Sequence, residues 1–233
     1  MESLARAAGV PVRRVQRAEL DALAGAEEHR GAGLLPAGQG EAVRSSPQAA
    51  RRPPRAEGQQ PRREGAAGLR ERLGRISSPT ALILFLDEIS DPHNLGAILR
   101  SADQFGAELV VLPTRRAARE TQTVTKTSAG ASLYVPVCSV PNLAAGLELA
   151  KEADFWVYGA DLGGRRLDEV SSEGRVALVL GSEGGGLRRL VRERCDALVR
   201  IPSGGHVDSL NVSVAAGILM YEIRRQQRFP GFP

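Results

Sequence analysis

The chain is poor in the residues that most metal and redox sites need: among 233 residues there are 2 Cys and 3 His. Cys138 and Cys195 have no His or Cys at ligand spacing, so each reads as a buried, inert thiol rather than as a disulfide partner or a nucleophile. His29, His93 and His206 stand far apart, without matching acids or nucleophiles, which argues against a metal site and against a Ser-His-Asp triad. Aromatics make up only 4% of the chain, and Trp156 and Tyr158, which flank a strand, read as core. No apolar run approaches the roughly 20 residues of a membrane span, and Met1 to Val10 lack the basic start and apolar centre of a signal peptide. A cytoplasmic protein without membrane or metal is expected.

Lysine is scarce too. The basic residues are 29 Arg and 2 Lys, Lys126 and Lys151, and arginine suits phosphate contacts. The excess lies at the amino end: residues 1–78 carry 14 Arg against 9 acidic residues, whereas residues 79–233 carry 17 basic against 18 acidic.

What is present is enough apolar sequence, 42%, for one good core. Residues 1–36 read as the end of an α/β unit, with strand-like Val12 and Val15, a short amphipathic turn at Arg17 to Ala24 and a further strand at Gly31 to Leu35. Residues 37–78 lose that pattern to Gly, Ala, Pro, Gln and Arg, and read as a disordered linker, either a solvated spacer or an arm for RNA phosphates. At Ala81 the texture changes to a strand apolar on both parities, Ala81 to Leu86. A helix follows, capped by Asp91, opened by Pro92, striped with Leu95, Ile98, Leu99 and Ala102, and ended by Gly106. Strand Glu108 to Leu112, a loop with Arg115, Arg116 and Arg119, a Thr-rich helix from Gln122 to Ala131, strand Val135 to Val140, helix Leu143 to Ala153 and strand Phe155 to Ala160 come next. The alternation predicts a parallel, doubly wound α/β sheet of about six strands over residues 79–229.

Three places can carry chemistry. On the first capped helix His93, Ala97, Arg100 and Gln104 share one face, and Asn94 lies in the first turn, about 120° from Arg100 around the axis. This is either a solvated face or one wall of a cleft. After strand Ala177 to Leu180 comes a glycine turn, Gly181 to Gly186, which lets a ligand approach the backbone. It is neither GxGxxG nor a P-loop, and Glu183 in its middle suits a cationic or hydroxyl-bearing partner better than a phosphate. After strand Leu198 to Ile201, the polar run Ser203 to Asn211 opens a final helix capped by Ser209 or Asp208. That helix is apolar nearly all round, so it is expected to be buried on most sides. Both loops begin at strand ends, where α/β sheets bind ligands, and read as walls of one site.

Taken together, Asp91-Pro92-His93-Asn94-Leu95-Gly96-Ala97-Ile98-Leu99-Arg100-Ser101-Ala102, Leu180-Gly181-Ser182-Glu183-Gly184 with Leu187-Arg188, and Ile201-Pro202 with Ser209-Leu210-Asn211-Val212-Ser213-Val214-Ala215 resemble the three motifs of the SpoU (TrmH-like) branch of the SPOUT RNA methyltransferases. Within it the chain is most similar to the group that methylates a guanosine ribose 2′-oxygen in 23S ribosomal RNA, helped by Lys126-Thr127-Ser128-Ala129-Gly130-Ala131. Against that group, residues 1–36 look like the remnant of a longer amino-terminal RNA-binding domain. The resemblance implies a carboxy-terminal trefoil knot, a homodimer, and S-adenosyl-L-methionine held by backbone groups around Gly181, Ile201 and Leu210, with Gly159 and Ala160 as further candidates. It also implies that Arg100 addresses the ribose hydroxyl as base or as electrostatic stabiliser, positioned by Asn94, Glu183, Ser209 and Asn211. The motifs do not choose among RNAs, so tRNA remains an alternative substrate, and a non-catalytic RNA-binding or ribosome-assembly factor on the same scaffold is the alternative from another class.

Overall fold

The computed structural model of the chain describes residues 65–114, 134–206 and 209–232. The expectations for residues 1–36, for the linker up to residue 64, for Arg115, Arg116 and Arg119, for the Thr-rich helix with Lys126 and for Asp208 lie outside the described residues.

In chain order the described elements are α1 (Gly65–Gly74), β1 (Leu82–Leu86), α2 (Pro92–Gln104), β2 (Leu109–Pro113), β3 (Val137–Val140), α3 (Leu143–Glu152) and β4 (Trp156–Arg166). A 3-10 turn (Leu167–Glu169) leads to β5 (Val176–Leu180), α4 (Arg189–Arg192), β6 (Ala197–Arg200) and α5 (Val212–Gln226). The six strands form one sheet in the order β3-β2-β1-β5-β4-β6, and every pairing is parallel. The chain therefore starts at the centre, builds outward through β2 and β3, crosses to β4 on the other side, returns to β5 and finishes at the β6 edge.

Side-chain alternation in β1 divides the core between the two faces of the sheet. Leu82, Leu84 and Leu86 pack on one side with Ile98 and Leu99 of α2 and Ala216, Leu219, Met220 and Ile223 of α5. Ile83 and Phe85 pack on the other with Leu143 and Leu147 of α3 and Val191 of α4. Both parities are buried, as the unbroken apolar run predicts.

The start of α2 is written locally. The Asp91 carboxylate accepts the His93 N–H at 2.9 Å, Pro92 fills the first turn, and Gly106, with φ +61°, follows the helix end. Three expectations are corrected. Residues 65–74, assigned to the disordered linker, form α1, because Leu69 and Leu73 lie one turn apart and insert into the core beside α3. Burying each contributes about 2 kcal/mol, enough to order a short helix on a preformed surface. Trp156 is 54% exposed, since it stands at the first residue of β4, while Tyr158 two residues on is buried and donates its hydroxyl to the Ser171 carbonyl. Finally, α5 is not buried all round: Val214, Ile218 and Tyr221, at i, i+4 and i+7, leave an apolar stripe 41–51% exposed.

Cys138 is buried, and burial pushes the half-buried Cys195 thiol up to about 12. Both fit the expected inert thiols.

One arginine fastens the far end of α5. Arg224 is buried, and burial lowers its pKa from the ordinary arginine range. It donates to the carbonyls of Phe105, Thr80 and Gly106 at 2.6–2.7 Å and to Gln227 Oε1 at 2.7 Å. Arg224 thus joins α5 to the end of α2 and the entrance of β1. Arg224→Ala leaves those buried acceptors unpaired and is expected to lower the unfolding free energy by about 3 kcal/mol, read by denaturant titration. A loss below about 0.5 kcal/mol, as for an ordinary surface change, contradicts this role.

Candidate functional site

The carboxyl ends of β4, β5 and β6 open into a single cavity of about 820 Å³. Its walls are Ala160 to Leu162 in the middle of β4, Leu180 at the end of β5 with the Gly181 to Gly186 loop that follows, Val199 to Ile201 at the end of β6, and the approach to α5 through Ser209, Leu210 and Val212. That volume lies in the range of small-molecule sites, and strand ends beside a reversal of strand order are where open α/β sheets hold ligands.

The glycine loop is a closed turn. Ser182 and Gly186 exchange backbone hydrogen bonds at 3.0 and 3.1 Å, and Gly186 has φ +61°. A Cβ on Gly181 would lie 2.2 Å from the Gly186 carbonyl carbon, so the two legs approach to a distance that only glycine allows. The exposed tip carries Glu183.

The three motif segments meet at one amide. Asn211 caps α5, its Oδ1 accepting from the Ser213 N–H at 2.9 Å and the Val214 N–H at 3.4 Å. Its Nδ2 donates to Asn94 Oδ1 at 3.0 Å and to Glu183 Oε1 at 2.6 Å. The Val212 N–H also donates to Glu183 Oε1, at 3.3 Å, which places a carboxylate at the positive end of a 15-residue helix. The cap expected from Ser209 or Asp208 is Asn211, whose side chain reaches both the next turn and the neighbouring loops.

The structure thus brings together Asn94, which is buried, Glu183 and Asn211, and lines the cavity with Gly181, Glu183, Ile201, Ser209 and Leu210. Ala160 lies in the wall, whereas Gly159 lies behind it, where a Cβ would meet Cys195 Sγ at 2.7 Å. Arg100 stands apart, exposed on α2 and outside the cavity wall. Sequence reasoning missed Asp161 and Leu162, which lie in the irregularity within β4 between Ala160 and Arg165 and form the facing wall. Arg192 pairs with Asp161 at 3.4 Å, and the Asp161-Leu162-Gly163-Gly164 run was the available signal.

Fold and site together define an α/β protein that binds a small molecule at the carboxyl edge of a parallel sheet. The particular kind follows from comparison: the model of the SpoU rRNA Methylase family matches residues 81–221, and the chain belongs to that family. It is 37% identical to an uncharacterized tRNA/rRNA methyltransferase of Borreliella burgdorferi over 97% of this chain and 92% of that protein. It is 41% identical to the 23S rRNA (guanosine-2′-O-)-methyltransferase RlmB of Xanthomonas campestris pv. campestris over 97% of this chain and 82% of that one. Among solved structures, the SpoU methyltransferase AviRb of Streptomyces viridochromogenes in complex with AdoMet superposes with a TM-score of 0.62 at 28% identity. That match covers 67% of this chain and 64% of AviRb.

The loop geometry makes a direct prediction. Gly181→Ala forces the legs of the turn apart at a cost of about 1–3 kcal/mol in stability and moves Glu183. Thermal melting and the binding of S-adenosylmethionine are expected to fall together, and an unchanged melting temperature contradicts the close approach.

Proposed function

We propose that the chain transfers a methyl group from S-adenosyl-L-methionine to a ribose 2′-hydroxyl of RNA, a guanosine of 23S ribosomal RNA being the acceptor. The observation that carries this reading is the Asn94–Asn211–Glu183 junction, which ties the α2 segment to the rim of the cavity in a chain of the SpoU family. The Xanthomonas relative supports the guanosine of 23S ribosomal RNA. The name of the Borreliella relative also admits tRNA, which is the second reading.

The cavity fits the cofactor. It is large enough, it exposes backbone at Gly181 where a side chain is blocked, and it offers apolar surface at Leu180, Ile201 and Leu210. Glu183 and Asp161 supply negative charge for a cationic ligand. When bound, S-adenosylmethionine supplies an electrophilic methyl group on a sulfonium. Gly181, Ile201 and Leu210 hold it through their backbone groups.

The acceptor hydroxyl is a weak nucleophile until its proton is removed or its developing charge is stabilised. Arg100 addresses that oxygen. A guanidinium offers N–H donors and no acceptor, so the role of Arg100 is to orient the hydroxyl and stabilise the forming alkoxide rather than to accept the proton. Asn94, Glu183, Ser209 and Asn211 fix the geometry between Arg100 on α2 and the cavity.

In this reading the carboxy-terminal third forms a trefoil knot, and a second copy of the chain covers the Val214, Ile218 and Tyr221 stripe of α5. The enzyme works in the cytoplasm, where its RNA is found.

Arg100→Ala is expected to slow methyl transfer by about 10³-fold or more while the dissociation constant for S-adenosylmethionine stays within about threefold of wild type. Radiolabel incorporation and calorimetry read the two quantities, and full activity of the variant overturns the role of Arg100. Incubation with 23S ribosomal RNA and with tRNA separates the two acceptors: label confined to tRNA establishes the second reading.

A further inference from the structure

Both legs of the glycine loop are fastened to one residue outside the motif residues assigned above. Asp87 follows β1 directly and is fully buried. Its backbone N–H donates to the carbonyl of Leu180, the residue that enters the loop, at 2.7 Å. Its carboxylate faces the residue that leaves the loop. Oδ2 accepts the Arg188 backbone N–H at 2.9 Å, and Oδ1 accepts the Arg188 Nε–H at 2.7 Å. Between these anchors the turn closes through Ser182 and Gly186, and its tip presents Glu183 to Asn211 and Val212.

The two anchors differ in kind. The Leu180 bond continues the β1–β5 ladder, and any residue at position 87 other than proline can make it. The Arg188 bonds need two acceptor oxygens in one plane, the pattern that a carboxylate offers to a guanidinium edge and an adjacent N–H. A buried carboxylate is a costly way to fill space, because it is tolerated only when paired and hydrogen-bonded. Arg188 is half exposed, so its side chain contributes little as packing. The pair acts on the loop geometry: it holds the exit leg against the end of β1, close to where α2 begins.

Resting on the reading of the cavity as the S-adenosylmethionine site, we propose that Asp87 and Arg188 are positioning residues whose pair seats the glycine loop and so sets cofactor affinity. They touch Gly181 and Glu183 only through the loop they fix.

The test is calorimetry with S-adenosylmethionine on the full chain as wild type, R188Q, R188K and D87N, with steady-state transfer to RNA in parallel. R188Q and D87N are expected to raise the dissociation constant about 10-fold or more. The KM for S-adenosylmethionine rises with it, while kcat at saturating cofactor stays within about threefold of wild type. R188K, which keeps the charge without the Nε–H geometry, recovers part of the affinity. A dissociation constant for folded R188Q within about twofold of wild type overturns the proposal, as does a loss confined to kcat. Should D87N fail to fold, R188Q decides alone, since position 188 is half exposed. Absence of binding by the wild type removes the cofactor reading itself, and this proposal with it.

Discussion

A single side-chain amide, that of Asn211, couples the elements on which the site depends. Asn211 starts α5, accepts the first free N–H groups of that helix and donates across to Asn94 of α2 and Glu183 of the glycine loop. An Asn can do this because it carries an acceptor and two donors at one tip; an Asp could cap the helix but could not donate to the Glu183 carboxylate. The helix end and the amide both face Glu183. Remove the amide, and α5 loses its cap while α2 and the glycine loop lose their common reference.

The sheet explains why the reference sits where it does. β1, β5, β4 and β6 are neighbours and all parallel, so their carboxyl ends and the loops that follow lie along one edge. Helices cover both faces, which leaves that edge as the place for backbone to meet a ligand. Arg224 secures the opposite end of α5 against Phe105, Thr80 and Gly106. The helix is therefore fixed at both ends, and Asn211 has little freedom to drift.

Much of this was legible locally. Asp91-Pro92 and Gly106 bound α2 because caps and turns are short-range, and the apolar runs at Ala81 and Ala177 announced strands covered on both faces. The glycine turn with an acid in it and the polar run before α5 were read as two walls of one site, and both line the cavity. What escaped depends on distant contacts. α1 hides in an Arg- and Gly-rich stretch because only Leu69 and Leu73 reveal it, and their partners belong to α3 and the sheet. Ser209 and Asp208 read as the capping candidates, and only tertiary structure shows that Asn211, which faces Asn94, is the cap. Asp87 and Arg188 lie 101 residues apart, and no local pattern joins them. The apolar composition of α5 read as burial, whereas one side of the helix is exposed.

In the function proposed, the site has two parts, a cavity for the methyl donor and a helix whose Arg100 addresses the acceptor, with the observed Asn94–Asn211–Glu183 junction between them. The central claim is that the acceptor is a ribose oxygen. The most direct measurement is to incubate the protein with methyl-labelled S-adenosylmethionine and 23S ribosomal RNA, hydrolyse the RNA in alkali and locate the label. A methylated 2′-oxygen cannot attack the adjoining phosphate, so the account predicts label in alkali-stable dinucleotides. Label in mononucleotides, which marks methylation of a base, or no label at all, contradicts it.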